Sequence, residues 1–136
     1  MLRILVFCAV AFASHFALQA QAPDPPADRV VAMYFHRTER CPTCKMMGSY
    51  SEEAVKKGFP DQVESRSVEF RYIDYEQPKN AQLAKAYKVK GPALIIADVK
   101  ENKVNEYKDL KDIWVKVRKK PEFIQYVRTS IQAYLN

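Results

Sequence analysis

Two cysteines separated by two residues, Cys41-Pro42-Thr43-Cys44, stand between an apolar run and a stretch of helical periodicity. The apolar run is Val30-Val31-Ala32-Met33-Tyr34-Phe35, which predicts a strand over about Arg29 to Phe35. It does not alternate, as expected of a strand covered on both faces of a mixed sheet. Behind the cysteines, Met46, Met47, Tyr50, Ala54 and Val55 recur at helical offsets, and Gly58 and Pro60 close the run. Strand, charged loop, C-x-x-C and helix follow one another in the order in which thiol–disulfide exchange proteins are built. Any fold proposed for the chain has to put these four pieces at one place.

At 136 residues the chain predicts a single domain. Residues 1–20 predict a cleaved export signal: Arg3 gives a positive start, Ile4 to Ala13 is apolar, and Leu18-Gln19-Ala20 ends on a small residue. Ser14, His15 and Gln19 interrupt the segment short of the roughly 20 apolar residues that span a bilayer. Cys8 and His15 leave with such a signal, so Cys41 and Cys44 become the only cysteines and His36 the only histidine. Without Arg3, 21 basic side chains face 16 acidic ones, a charge of about +5 spread along the chain. The densest basic group, Lys116 to Lys120, reads as a solvated helix end, and no nucleic-acid-binding motif accompanies it. The chain has only three glycines, Gly48, Gly58 and Gly91, and no pair of them makes a phosphate-cradling loop. Flavin and nicotinamide signatures, a G-x-S-x-G elbow and an H-E-x-x-H helix are also lacking.

Residues 21–28, with Pro23, Pro25 and Pro26, predict an extended tether, and residues 29–136 the domain. A second strand is predicted over Ser67 to Asp74, with Val68, Phe70 and Tyr72 on one face and Glu69, Arg71 and Ile73 on the other. Pro78 opens a helix over about Lys79 to Tyr87. Gly91-Pro92 precedes a third strand, Ala93 to Val99, and Lys100-Glu101-Asn102-Lys103 turns it back into a fourth, Val104 to Tyr107. A helical piece over about Leu110 to Val117 carries Ile113, Trp114 and Val117, with Trp114 expected in the core. A last helix from Pro121 presents Phe123, Ile124, Val127, Ile131, Tyr134 and Leu135 as a stripe. The order βαβα-ββα with a helical extension predicts an α/β fold: a four-stranded mixed sheet with helices on both faces.

This layout resembles the thioredoxin fold over about Val30 to Tyr107, on the strength of Cys41-Pro42-Thr43-Cys44 and of Tyr87-Lys88-Val89-Lys90-Gly91-Pro92-Ala93. The resemblance implies that Pro92 is a cis-proline facing the active-site disulfide, while Gly91-Pro92 read as a plain turn signal makes it an ordinary trans proline. A narrower resemblance rests on Tyr34 to Cys44, Lys111-Asp112-Ile113-Trp114 and Phe123-Ile124-Gln125-Tyr126-Val127. These stretches are similar to small exported bacterial proteins of the nitrophenyl-compound nitroreductase subunit ArsF family, a name that implies flavin-style reduction of nitro groups.

An exchange cysteine needs access, a depressed pKa and a resolving thiol. Cys41, just ahead of a helix, meets unsatisfied N–H groups that favour a thiolate. Pro42 suits the first helical position, and Arg37, Arg40, Lys45 and His36 add positive charge that Glu39 partly opposes. Cys44, a turn further in, is the expected resolving thiol. The pair Pro42-Thr43 tunes the redox poise, resembling the Pro-x of glutaredoxins and periplasmic oxidases more than the Gly-Pro of thioredoxin. The buried acid that precedes the motif in thioredoxin has no counterpart, which leaves proton transfer to solvent, His36 or Glu39.

The motif expects no cofactor beyond the redox-active disulfide Cys41–Cys44. Its partner would be a protein thiol or disulfide, with a membrane electron-transfer protein to recharge it outside the cytoplasm. Two alternatives stay open: a structural disulfide in a non-catalytic adaptor or subunit, and metal handling with Cys41, Cys44 and His36, one ligand short of the usual four.

Overall fold

The computed structural model describes residues 23–136, so the predicted export signal, with Cys8 and His15, lies outside the described residues. Four strands, β1 (Arg29–His36), β2 (Val68–Asp74), β3 (Ala93–Lys100) and β4 (Lys103–Asp109), form one sheet in the order β2-β1-β3-β4. β1 runs parallel to β2 and antiparallel to β3, and β4 is antiparallel to β3. Helices α1 (Pro42–Gly58), α2 (Pro60–Glu64), α3 (Ala81–Ala86), α4 (Ile113–Lys116) and α5 (Lys120–Leu135) complete the chain. This is an α/β fold, a four-stranded mixed sheet with helices on both faces, in the arrangement that the resemblance to the thioredoxin fold implies.

The unbroken apolar run of β1 explains its central place. Val30, Ala32 and Tyr34 face one layer, with Met47, Ala54, Val55, Phe123, Val127 and Ile131 of α1 and α5. Val31, Met33 and Phe35 face the other, with Ala84 and Tyr87 at α3. Each of these large side chains contributes about 1.5–3 kcal/mol by leaving water. β2 alternates as its sequence predicts, Val68 and Phe70 joining the first layer and Ile73 the second. Among the described residues no helix is long and apolar enough to cross a membrane.

Several local expectations shift. Pro60 does not merely close α1 but opens α2 at its first turn. The predicted Lys79 to Tyr87 helix divides into a 3-10 turn, Pro78–Asn80, and the short α3. The helical piece predicted from Leu110 shrinks to α4, because Leu110 is pinned as an extension of the sheet edge by its N–H donating to the Leu94 carbonyl at 2.9 Å. Trp114 is not in the core: it is 46% exposed, while Ile113 beside it is fully buried. A four-residue helix has room for one inward face, and Ile113 occupies it.

The expected tether is partly tied down. The Ala27 carbonyl accepts from Asn102 N–H at 2.9 Å, Asp28 accepts from Glu101 N–H at 2.9 Å, and the Pro23 carbonyl accepts from Arg66 at 2.7 Å. Glu101 and Asn102 both have positive φ, 50° and 62°. Two left-handed residues match the twist a two-residue hairpin turn requires.

Candidate active site

β1 ends at His36, and four residues later the chain enters α1 with Cys41 as its N-cap. Cys41 has extended backbone, φ −66° and ψ 159°, while Pro42 occupies the first turn. The Cys44 N–H, one of the orphan donors at the helix start, donates to Cys41 Sγ at 3.1 Å. The two cysteines are joined as a disulfide with their Cα atoms 5.1 Å apart. Cys41 and Pro42 are exposed, Thr43 is half-buried, and Cys44 is 7% exposed. The first turn of α1 contains no acidic side chain, so nothing within it opposes a thiolate at the N-cap.

Beneath the motif lies a residue that sequence reasoning placed only in a strand. Tyr34 is fully buried, and its hydroxyl donates to the Cys44 carbonyl at 2.7 Å. Burial pushes its phenol well above the ordinary tyrosine value, with nearby Arg40 opposing. The hydroxyl is held in its protonated form as a donor to the Cys44 carbonyl. A lone tyrosine amid an apolar run, with one polar atom to satisfy, is the signal that could have found it.

Tyr34 belongs to an aromatic cluster on the β2 side of the motif. His36 stacks with it at 6.2 Å between centroids, and Tyr72 meets it edge-on at 6.1 Å. Gly48 of α1 lies directly on these rings, for a Cβ there would meet Tyr72 at 2.8 Å and Tyr34 at 2.9 Å. The His36 Nδ1 lies 2.8 Å from the Arg37 carbonyl, and since a carbonyl only accepts, Nδ1 carries the hydrogen. Arg40 sits with its guanidinium carbon 5.6 Å from the Tyr72 ring centroid. The Tyr72 hydroxyl donates to Glu52 at 3.1 Å; burial first, and then the Glu52 carboxylate, push its pKa up to about 12.

The loop from Arg37 to Arg40 is anchored to the end of β2. Thr38 donates through its hydroxyl to Asp74 at 2.7 Å and through its N–H to Glu76 at 2.9 Å. Arg37 donates to the Tyr75 hydroxyl at 2.9 Å. The Thr38 hydrogen bond holds the Asp74 carboxyl below its ordinary value. Arg37 is thus engaged away from the cysteines, whereas Lys45, exposed in the first turn, forms no ion pair among the described residues. Glu39 is exposed.

Gly91 and Pro92 stand at the same end of the sheet, because Ala93 pairs with Phe35 at the close of β1. The cis-proline implied by the resemblance is corrected: no peptide bond among the described residues is cis, so Gly91–Pro92 is trans, the form an X–Pro bond prefers by about 0.5–1 kcal/mol. A Cβ added at Gly91 would meet nothing within 4 Å, so this turn opens outward.

Gly48 and Gly58 are filled by the Tyr34, Tyr72 and Arg128 side chains, whereas Gly91 stays open. Among the described residues no three His, Cys, Asp or Glu side chains are grouped to hold a metal ion.

No protein-family model matches the chain, and no curated protein matches it. Among solved structures, the chain is similar to a thioredoxin from Thermus thermophilus, with 24% identity over 74% of this chain and 72% of that one and a TM-score of 0.45. It is also similar to thioredoxin-2, described as a component of malaria parasite protein secretion machinery, with 18% identity over 73% and 99% of the two chains and a TM-score of 0.43. A malarial protein has 22% identity over 68% of this chain and 96% of its own, with a TM-score of 0.41. None of the three bears the nitroreductase-subunit name. Likenesses at this level say nothing of chemistry, which is taken from the residues of this chain.

Proposed function

We propose that the protein is a thiol–disulfide oxidoreductase that works through Cys41 and Cys44. The observation that carries this reading is the asymmetry of the pair: Cys41 is exposed at the N-cap of a 17-residue helix, and Cys44 is buried one turn inside. The Cys44 N–H and the open helix start stabilise negative charge on Cys41 Sγ, favouring its thiolate at neutral pH.

In the reducing direction the Cys41 thiolate attacks one sulfur of a partner disulfide. That S–S bond breaks, the departing sulfur leaves as a thiolate and takes a proton, and a Cys41–partner disulfide remains. Cys44, deprotonated by water, attacks Cys41 Sγ, closes the Cys41–Cys44 disulfide and releases the second partner thiol. Two electrons and two protons pass to the partner; the oxidising direction is the reverse. Thr43 and Pro42 hold the spacing that lets one sulfur reach the other. Arg40 and Lys45 add positive potential at the mouth, and Gly91-Pro92 borders it.

Export to an extracytoplasmic compartment, and renewal of the pair by a membrane electron-transfer protein, extend the proposal. They rest on the apolar character of residues 1–20 and on the chemical need for a source or sink of electrons there.

Cysteine trapping tests the roles. Cys44→Ser should accumulate a mixed disulfide through Cys41, and Cys41→Ser should not. Equal trapping by both variants, or by neither, would overturn the assignment. A very low reduction potential with an inert Cys41 would make the disulfide a structural staple.

A further inference from the structure

A groove of about 410 Å³ opens beside Pro92, between the α3–β3 connection and the β4–α4 connection. Its floor and rim include Pro92, Leu110 and Trp114, with Lys88, Lys90 and Lys111 around them; Asp109 is the single acidic residue of the lining. The three lysines are exposed and form no salt bridge among the described residues. Trp114 is 46% exposed, although its alternative is a place in the core. Because Ala93 pairs with Phe35, the groove sits at the cysteine end of the sheet, on the side away from the Tyr72 cluster.

The lysine at position 88 is held there against its backbone preference. The Val89 N–H donates to the Ala84 carbonyl at 2.9 Å and the Lys88 N–H to the Lys85 carbonyl at 3.1 Å, the paired bonds of a Schellman end to α3. The left-handed residue of that motif is usually glycine, yet here it is Lys88 with φ 56°. Left-handed backbone costs a non-glycine residue about 1–2 kcal/mol. The strain is tolerated with a cation at the groove's rim.

We infer that this groove selects the partner: it takes an extended acidic segment flanking the partner's disulfide, with an apolar side chain seated against Trp114. The inference rests on the thiol–disulfide reading above and adds the class of substrate. Three cations against one carboxylate favour an anionic chain, both in steering its approach and in holding it. An indole half out of water supplies apolar area at small entropic cost. The segment bound there holds the partner disulfide at the mouth of Cys41.

The test uses two disulfide-containing peptides that differ only in glutamate or lysine flanks, each with one leucine. The reduced protein should reduce the glutamate peptide faster by about tenfold at low salt, and added salt should erase the difference. The triple variant Lys88→Gln, Lys90→Gln, Lys111→Gln should lose the preference while reducing the small uncharged hydroxyethyl disulfide as fast as the parent protein. Trp114→Phe should retain the preference, and Trp114→Ala should weaken both peptides. Equal rates for the two peptides in the parent protein, or a preference that survives the triple variant, would overturn the inference. Trp114 is the only tryptophan of the chain, so its fluorescence reports occupancy without any redox step. No reaction with hydroxyethyl disulfide would count against the oxidoreductase. An unchanged Trp114 signal on adding the glutamate peptide to the oxidised protein would count against the groove.

Discussion

The Tyr34 hydroxyl donates to the Cys44 carbonyl at 2.7 Å, tying the centre of the sheet to the turn of α1 that carries the second cysteine. The bond joins the two pieces that the sequence shows as neighbours, the apolar strand and the C-x-x-C helix. Tyr34→Phe keeps the ring and removes the donor. The Cys44 carbonyl, as a helical acceptor, still faces an N–H four residues on, so the expected loss is that of one net hydrogen bond, about 1 kcal/mol. Urea unfolding should show a lower midpoint with an unchanged slope. An unaltered midpoint would mean that the bond contributes nothing to holding the motif.

Gly48 makes a second joint. Alanine usually stabilises a helix by about 1 kcal/mol over glycine, but a Cβ here would meet Tyr72 at 2.8 Å and Tyr34 at 2.9 Å. Displacing two packed rings costs about 1–3 kcal/mol, so Gly48→Ala should destabilise on balance. Combined with Tyr72→Ala, which empties one of the two positions, the same change should cost less. A cycle of the four proteins measures that coupling.

The Tyr72 phenol is pushed up to about 12 by burial and then by the Glu52 carboxylate that accepts its hydrogen bond. For tyrosine the neutral form is the protonated one, so a raised folded value favours the folded state fully below the ordinary tyrosine value. That contribution fades as pH rises through about 12. Glu52→Gln removes the negative charge, and the Tyr72 pKa should fall towards the ordinary range. Phenolate absorbance followed against pH, with Tyr72→Phe identifying the transition, checks the shift. An unchanged transition would make burial its sole cause.

What the sequence disclosed follows from what its patterns report. The two-sided apolar run of β1, the alternation of Val68, Phe70 and Ile73, and the strand-motif-helix order are periodic, and all of them reappear in the fold. Cys41 and Cys44 were legible because chemistry in a short motif is local. Tyr34 was not, because its role comes from a carbonyl ten residues away that only the packing of α1 on β1 brings near. Gly48 was similarly silent: its meaning lies in the rings of Tyr34 and Tyr72, which reach it from two strands. Arg37 illustrates the converse, since its charge suggested a role at Cys41 but the loop spends it on Tyr75.

Trp114 and Phe123 both belong to apolar patterns in the C-terminal part, and the structure separates them. Phe123 is fully buried in the layer between α5 and the sheet, with Tyr50 of α1 edge-on at 5.7 Å. Trp114 is 46% exposed. Phe123→Ala removes a ring whose space the close packing of α1 on α5 cannot refill, an expected cost of about 3–5 kcal/mol. Trp114→Ala, with no cavity to leave, should change stability by less than about 1 kcal/mol. Thermal or urea unfolding of both variants checks the pair. A large loss from Trp114→Ala would return that side chain to the core and deny the groove its aromatic wall; a small loss from Phe123→Ala would mean that α5 contributes little to holding α1, and with it the cysteines, against the sheet.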